Sequence, residues 1–482
     1  MLPRVVLYLS VFALVALGLL MIYSASSVMA AADPDCNYNA AYYLIRQGIF
    51  AAVGLGAAAV MSVIDYHVFA DYLLPIIWAI TVALLMLVII SSVGAGAYGA
   101  VRWLDLGFFS LQPSEFAKLT VILTAANVCK RYFEDGALSF GAFATIMAVA
   151  VGVPLFLIVV QPDKGTTIIC AVTLVVMAYL AGFPSRPILA LLGCVIVLAL
   201  ILAFKDEYSR ERVFTMLDPF QDPLDKGYQI IQGFYAFGTG GLFGVGIGLS
   251  RQKYSYLPMA HNDFIFAVIG EELGLAGTLG TLLGFLALLW AGYQIARYAP
   301  DLTGRLVAAG CTSLLVIQLL VNVGGVLSLI PLTGKPIPFL SYGGSSIISS
   351  LMLVGMVSSI SLHSSLPVTE YDERRQDWGL TSEPAHHYRS EPSLSLVGEP
   401  TPRSQRQAGA ATQTPPFSVV GGGRAPSSTP LAGTRRATSP ESLRAEREFS
   451  EAHAGGRVSV DGRGRRRIDL GPSASERLRP TR

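Results

Sequence analysis

The chain has 482 residues, 52% of them hydrophobic and only 14% charged, with a mean hydropathy of +0.53. That balance excludes an ordinary soluble domain and fits a polytopic membrane protein, and a net charge of +2 carries no nucleic-acid signal. The five cysteines, Cys36, Cys129, Cys170, Cys194 and Cys311, are odd in number and scattered, and they form neither a disulfide framework nor a metal motif.

Runs long enough to cross a hydrocarbon core occur at about 5–29, 43–64, 73–92, 114–128, 140–160, 166–182, 187–204, 263–292, 305–325 and 345–362. The expected fold is therefore all-α, with about ten transmembrane helices and a large extracytoplasmic loop between spans 7 and 8. The run from Val5 to Tyr23 is too long for a signal-peptide core and reads as a retained first span. The fourth run is short, and its polar start suggests a segment dipping in from one face. No internal repeat is evident, so an inverted-repeat transporter has no support from that side.

Residues 1–363 form the membrane domain, and 364–482 read as a disordered tail. The tail carries 18 Arg, no Lys and many Pro, Ser and Gly, with no periodic apolar face. Cations flank both sides of the spans, so the Arg-rich tail decides the orientation: ten spans place both termini in the cytoplasm. In that topology every unusual loop falls on the outer face. These are Arg102–Gly107 leading into Gln112–Lys118, then Gln161–Gly165, the long segment 205–262, and Pro331 to Ser346. Polar loops gathered on one side indicate a single site open to the outside.

The densest stretch is Tyr256 to Gly274, in which His261, Asn262 and Asp263 precede an apolar run ending in Glu271 and Glu272. On one helix, positions 263 and 271 lie roughly 12 Å apart along the axis. Ionisable groups entering a bilayer are costly and mark function by default, although His261 and Asp263 serving only as helix caps is the plainer alternative. Asp263 is the candidate general base, or a ligand for a divalent cation doing the same work. The apolar run behind it excludes water and raises a carboxyl pKa. His261 and Asn262 take supporting roles, and Glu271 and Glu272 structural ones.

Glu115 and Lys118, spaced i, i+3, share a helix face and form either a self-neutralising pair or part of the site. Arg102 beside Trp103 suits an interface anchor or a diphosphate, which guanidinium grips in a bidentate fork. Arg102, Lys118 and Arg212 are the candidate diphosphate cations. The glycines from Gly238 to Gly248 never fit G-x-G-x-x-G and suit close packing or a re-entrant turn. Ser341, Gly343, Gly344 and Ser345 form a loop whose backbone and hydroxyls can meet sugar or phosphate, with a helix N-cap at Ser345 or Ser346 as the plainer use.

Taken together, Arg102-Trp103, Gln112-Pro-Ser-Glu-Phe-Ala-Lys118, Gln161-Pro-Asp-Lys-Gly-Thr166, Asp218-Pro219, Gly227-Tyr-Gln229, His261-Asn-Asp-Phe-Ile-Phe266 and Ser341-Tyr-Gly-Gly-Ser345 resemble the SEDS (shape, elongation, division and sporulation) family over about residues 1–363. Gly248–Lys253 before Tyr256-Leu-Pro looks more like the division branch than the elongation branch. Met259 departs from the pattern, since relatives commonly carry Glu there.

The resemblance implies a peptidoglycan glycosyltransferase that polymerises lipid II at the outer membrane face. It would work with a class B penicillin-binding protein, at the division septum, among other division proteins that the tail could recruit. Two other classes remain open at this level: a lipid II flippase, which needs polar residues continuing to the inner face, and a non-catalytic division scaffold.

Overall fold

In the computed structural model, the described residues are 2–92, 102–105, 107, 110–254, 256–364, 457–460 and 466–469. The chain divides into two units, Met1–His386 and His387–Arg482. Within the second, β3 (Arg457–Val460) and β4 (Arg466–Asp469) pair antiparallel, with Arg457 opposite Asp469. The remainder of the expected disordered tail lies outside the described residues.

The first unit is helical. In order it runs α1 (Leu2–Ala32), α2 (Tyr42–Val63), α3 (Leu74–Ser92), α4 (Pro113–Phe133), α5 (Phe140–Ala150), α6 (Gly152–Val160), α7 (Lys164–Leu180), α8 (Ser185–Phe204), α9 (Glu207–Leu217), α10 (Tyr228–Gly240), α11 (Ile265–Glu272), α12 (Gly274–Arg297), α13 (Leu302–Val326) and α14 (Gly344–Leu362). Two short strands, β1 (Leu104–Asp105) and β2 (Ser110–Leu111), pair in the loop before α4.

Among the described residues, eight helical segments are long and apolar enough to span a membrane: α1, α2, α3, α5 with α6, α8, α12, α13 and α14. The other two expected spans are α7, at 17 residues, and α4. Far from being a short dip, α4 runs for 21 residues. The sequence understated it because Glu115, Lys118, Lys130 and Arg131 interrupt its apolar pattern while helical hydrogen bonding continues through them.

Burial separates the helices. The apolar windows of α13 and α14 are 78% and 83% buried inside the protein, whereas that of α8 is 11% buried. A helix apolar all round belongs in a core or against lipid, and the two extremes show both uses. The single span expected over 263–292 is broken at Leu273 between α11 and α12. Gly274 takes φ +67, and a β-carbon there would stand 2.3 Å from the backbone nitrogen of Gly244. The glycine loop after α10 thus packs directly on the break. Val245 N–H donates to Glu271 O (2.9 Å) and Gly246 N–H to Glu272 O (3.0 Å), so close packing is the use these glycines serve.

Candidate active site

Four polar segments meet at one end of the bundle. Arg102 donates to Pro162 O (2.9 Å), Gln112 N–H to Ser345 Oγ (3.0 Å) and Tyr342 N–H to His261 O (3.0 Å), and Arg212 hydrogen-bonds Leu332 O. The polar segments that the sequence scatters over some 240 positions are therefore neighbours. At the opposite end of the bundle a different set of groups collects, with His67 between Asp65 (2.8 Å) and Asp301 (3.4 Å).

Beneath the loops lies a buried charge network. Pro113 at the first position of α4 suits a helix start and holds Gln112 extended, which puts Glu115 and Lys118 on the inner face. Lys118 Nζ lies 2.7 Å from Glu115 Oε2 and 2.8 Å from Gln318 Oε1, and both charged residues are 1% exposed. Asp163 caps α7, accepting from Thr166 N–H (3.3 Å), and it also accepts from Ser114 Oγ (2.7 Å) and Gln112 Nε2 (3.1 Å). Lys335 Nζ reaches Asp163 at 2.8 Å and Glu115 at 3.9 Å. The Lys335 ammonium and these hydroxyl donors outweigh burial and hold the Asp163 carboxyl well below the usual carboxylate range.

Asp263 sits above this network in the turn before α11. It is neither on the helix nor its cap: Phe264 occupies the N-cap position and makes no side-chain cap bond, so the capping alternative fails, and the two-turn spacing to Glu271 does not apply. Gly334, at φ +66, allows the approach of the facing loop. A β-carbon at Gly334 would stand 3.5 Å from Asp263 Oδ2 and 3.9 Å from Arg212 Nη1, so carboxylate and guanidinium flank the same glycine. Burial pushes the Asp263 carboxyl up, against the lowering effect of Arg212 and Lys335.

The remaining expected residues divide by what they touch. His261 is buried, with its ring 4.6 Å from Tyr43 and 5.7 Å from Tyr342, and desolvation lowers its pKa to about 4. It is a packing element, neutral at physiological pH. Asn262 Nδ2 lies 3.8 Å from Met259 Sδ. Trp103 is 46% exposed, as an interface anchor should be.

Ser341 Oγ accepts from Ile337 N–H (2.8 Å), and Gly343 N–H donates to Gln47 Oε1 (3.1 Å). Gly344 lets the ring of Phe50 approach to 2.8 Å of a would-be β-carbon. Neither Ser345 nor Ser346 caps α14; Gly343 holds that position, and Ser345 instead ties the loop to Gln112 and Ser110. Glu271 accepts from Ser250 Oγ (2.5 Å) and Arg251 N–H (2.8 Å), and Glu272 accepts from Ser24 Oγ (2.7 Å) with Lys253 at 3.5 Å. Both acids clamp the glycine loop, a structural role.

Sequence reasoning missed Asp163, Lys335, Gln318 and Asn322. The first two lie inside segments already singled out as unusual. Gln318 and Asn322, two amides at i, i+4 in an apolar helix, are a signal in their own right, because polar groups there need partners. Among the described residues no three His, Cys, Asp or Glu side chains group as a metal site.

A profile of the "Cell cycle protein" family (FtsW/RodA/SpoVE) matches residues 4–366. The chain belongs to the FtsW/RodA/SpoVE family. It is 40% identical over 367 residues to stage V sporulation protein E of Bacillus subtilis, covering 75% of this chain and 98% of that protein. It is 41% identical over 373 residues to the probable peptidoglycan glycosyltransferase FtsW of Trichlorobacter lovleyi, covering 77% and 96%.

Among solved structures, a chain from a peptidoglycan synthase complex that coordinates polymerisation and crosslinking superposes with a TM-score of 0.58 at 29% identity, covering 74% of this chain and 97% of that one. The rod shape determining protein RodA of Thermus thermophilus superposes with a TM-score of 0.54 at 26% identity, covering 75% and 97%. FtsW/RodA/SpoVE membership thus spans the whole helical unit that carries the loops described above, while most of the Arg-rich tail lies beyond the matched region.

Proposed function

We propose that the protein is a peptidoglycan glycosyltransferase of septal cell-wall synthesis, polymerising lipid II into β-1,4 glycan strands. The observation that carries the reading is Asp263, a buried carboxyl at the meeting point of the loops, flanked by Arg212 and within the field of Lys335. The curated relatives named probable peptidoglycan glycosyltransferase FtsW support the same activity. Asp263 takes the proton of the acceptor sugar's 4-hydroxyl as that oxygen attacks the donor's anomeric carbon. The bond from that carbon to the lipid diphosphate breaks, and the diphosphate leaves with its electron pair. Arg212 and Arg102 are the cations placed for the diphosphate, because guanidinium pairs with phosphate oxygens in two parallel bonds. Lys118, held between Glu115 and Gln318, supports them from below.

The loop end of the bundle faces outward in this reading, both termini are cytoplasmic, and a class B penicillin-binding protein is the partner. The likeness to a synthase complex coupling polymerisation to crosslinking supports that partner class. A flippase needs ionisable groups continuing through the bundle, and in this network Lys118 is held by Glu115 and Gln318. The test is glycan polymerisation by purified protein supplied with lipid II, with and without the penicillin-binding protein; absence of glycan strands in both reactions overturns the proposal.

The tail is dispensable for chemistry in this scheme and serves recruitment through its 18 Arg, to anionic lipid or acidic division proteins. Truncation after Leu366 leaves polymerisation by purified protein within about twofold of the full chain, a change no larger than ~0.4 kcal/mol, and weakens septal localisation in cells. Loss of polymerase activity in a folded truncated protein contradicts this assignment.

A further inference from the structure

Two amides stand on successive turns of α13, near its end at the loop side. Gln318 spends both ends of its side chain: Oε1 accepts from Lys118 (2.8 Å), and Nε2 donates to Pro336 O (2.7 Å). Asn322 uses one end only. Its Nδ2 donates to Asp263 O (3.0 Å) and to Lys335 O (2.7 Å), while its Oδ1 is buried with no hydrogen-bond partner among the described residues. Two carbonyl oxygens converge on one side-chain atom, so that atom must be the nitrogen, with its two N–H groups each given to a different loop. The residue is 2% exposed, so both bonds are shielded from water.

One of these loops carries Asp263 and the other carries Lys335. We propose that Asn322 is a positioning residue of the transferase site: its amide nitrogen locks the Asp263 turn and the Lys335 loop in one register and so fixes the carboxylate relative to the ammonium. This rests on the reading of Asp263 as the base. Without Asn322, two backbone carbonyls at the centre of the site lose a shared donor. The empty acceptor at Oδ1 fits the same account, since a position selected for packing alone would be better filled by Leu.

The groups facing Asp263 are Arg212 from α9 and Lys335 from the α13–α14 connection, with His261 two residues before it. Lys335 is in turn faced by Asp163 at the start of α7 and Glu115 on α4. Because both cations lower the Asp263 pKa, releasing the Lys335 loop should let that pKa rise and carry the acidic limb of the pH–rate profile with it.

The experiment compares wild type, Asn322→Leu, Asn322→Ser and Asp263→Asn, each purified with the penicillin-binding partner and supplied with lipid II over a range of pH. Asn322→Leu is expected to lower kcat tenfold or more with KM within threefold, and to move the acidic limb to higher pH. Asn322→Ser keeps one short donor that cannot reach both carbonyls; it is expected to move the limb in the same direction and serves where the leucine variant does not accumulate folded. An acidic limb that stays in place in whichever variant is folded overturns the positioning role, because a general loss of stability reduces the active fraction without shifting a pH limb. Activity in Asp263→Asn defeats the base assignment and the inference with it, whereas an inactive Asp263→Asn beside an unmoved limb defeats the inference alone.

Discussion

Purified Asp263→Asn protein should polymerise lipid II about 10²–10⁴ times more slowly than wild type, the range that a positioned general base contributes. Asparagine keeps the shape and can still occupy the space beside Gly334, but it takes no proton from a sugar hydroxyl. The fold should survive, since the backbone carbonyl of residue 263, not its side chain, receives the Asn322 bond. Binding to the penicillin-binding partner should persist for the same reason. Burial raises the Asp263 pKa above its ordinary 3.8, and the base works only when deprotonated. Wild-type activity should therefore fall as pH drops through a value higher than that of a free aspartate. Long glycan strands made by folded Asp263→Asn would remove the assignment and turn attention to Glu115.

Asp163→Ala is expected to be the most destabilising single change at the site. Asp163 is fully buried and accepts from Ser114, Gln112, Thr166 and Lys335 at once. Removing one partner of a buried ion pair leaves the other charge uncompensated, at a cost of about 3–5 kcal/mol. Glu115, 3.9 Å from Lys335, offsets only part of it. The measurement is thermal unfolding of the purified protein in detergent, with Asp163→Asn as the companion variant. Asparagine retains an acceptor for Ser114 and Thr166 and should lose less. The folded pKa of Asp163 is lowered, so its contribution is present above the unfolded value of 3.8 and fades as pH falls through the folded one. An alanine variant unfolding within a degree or two of wild type would show that the network carries no stability.

The sequence by itself determined the class of fold and the chemistry at stake. Apolar run length fixes where helices cross, because an unpaired backbone in lipid is prohibitively costly and only helices satisfy it locally. Charged groups next to or within apolar runs are costly and so stand out as candidates, and Asp263, Glu115, Lys118 and Arg212 all lie at or beneath the joined loops.

What the tertiary structure decided is which of those groups face one another. The split of the 263–292 run depends on Gly244 packing against Gly274, a contact between segments 30 residues apart that no local pattern encodes. His261 reads as a site residue beside Asp263, yet its ring turns into Tyr43 and Tyr342, because neighbouring side chains along a turn point in different directions. Lys335 was one outer-loop cation among many until it met Asp163, 172 positions away. Charge pairing acts over a few ångströms of space, and distance along the chain carries almost no information about it.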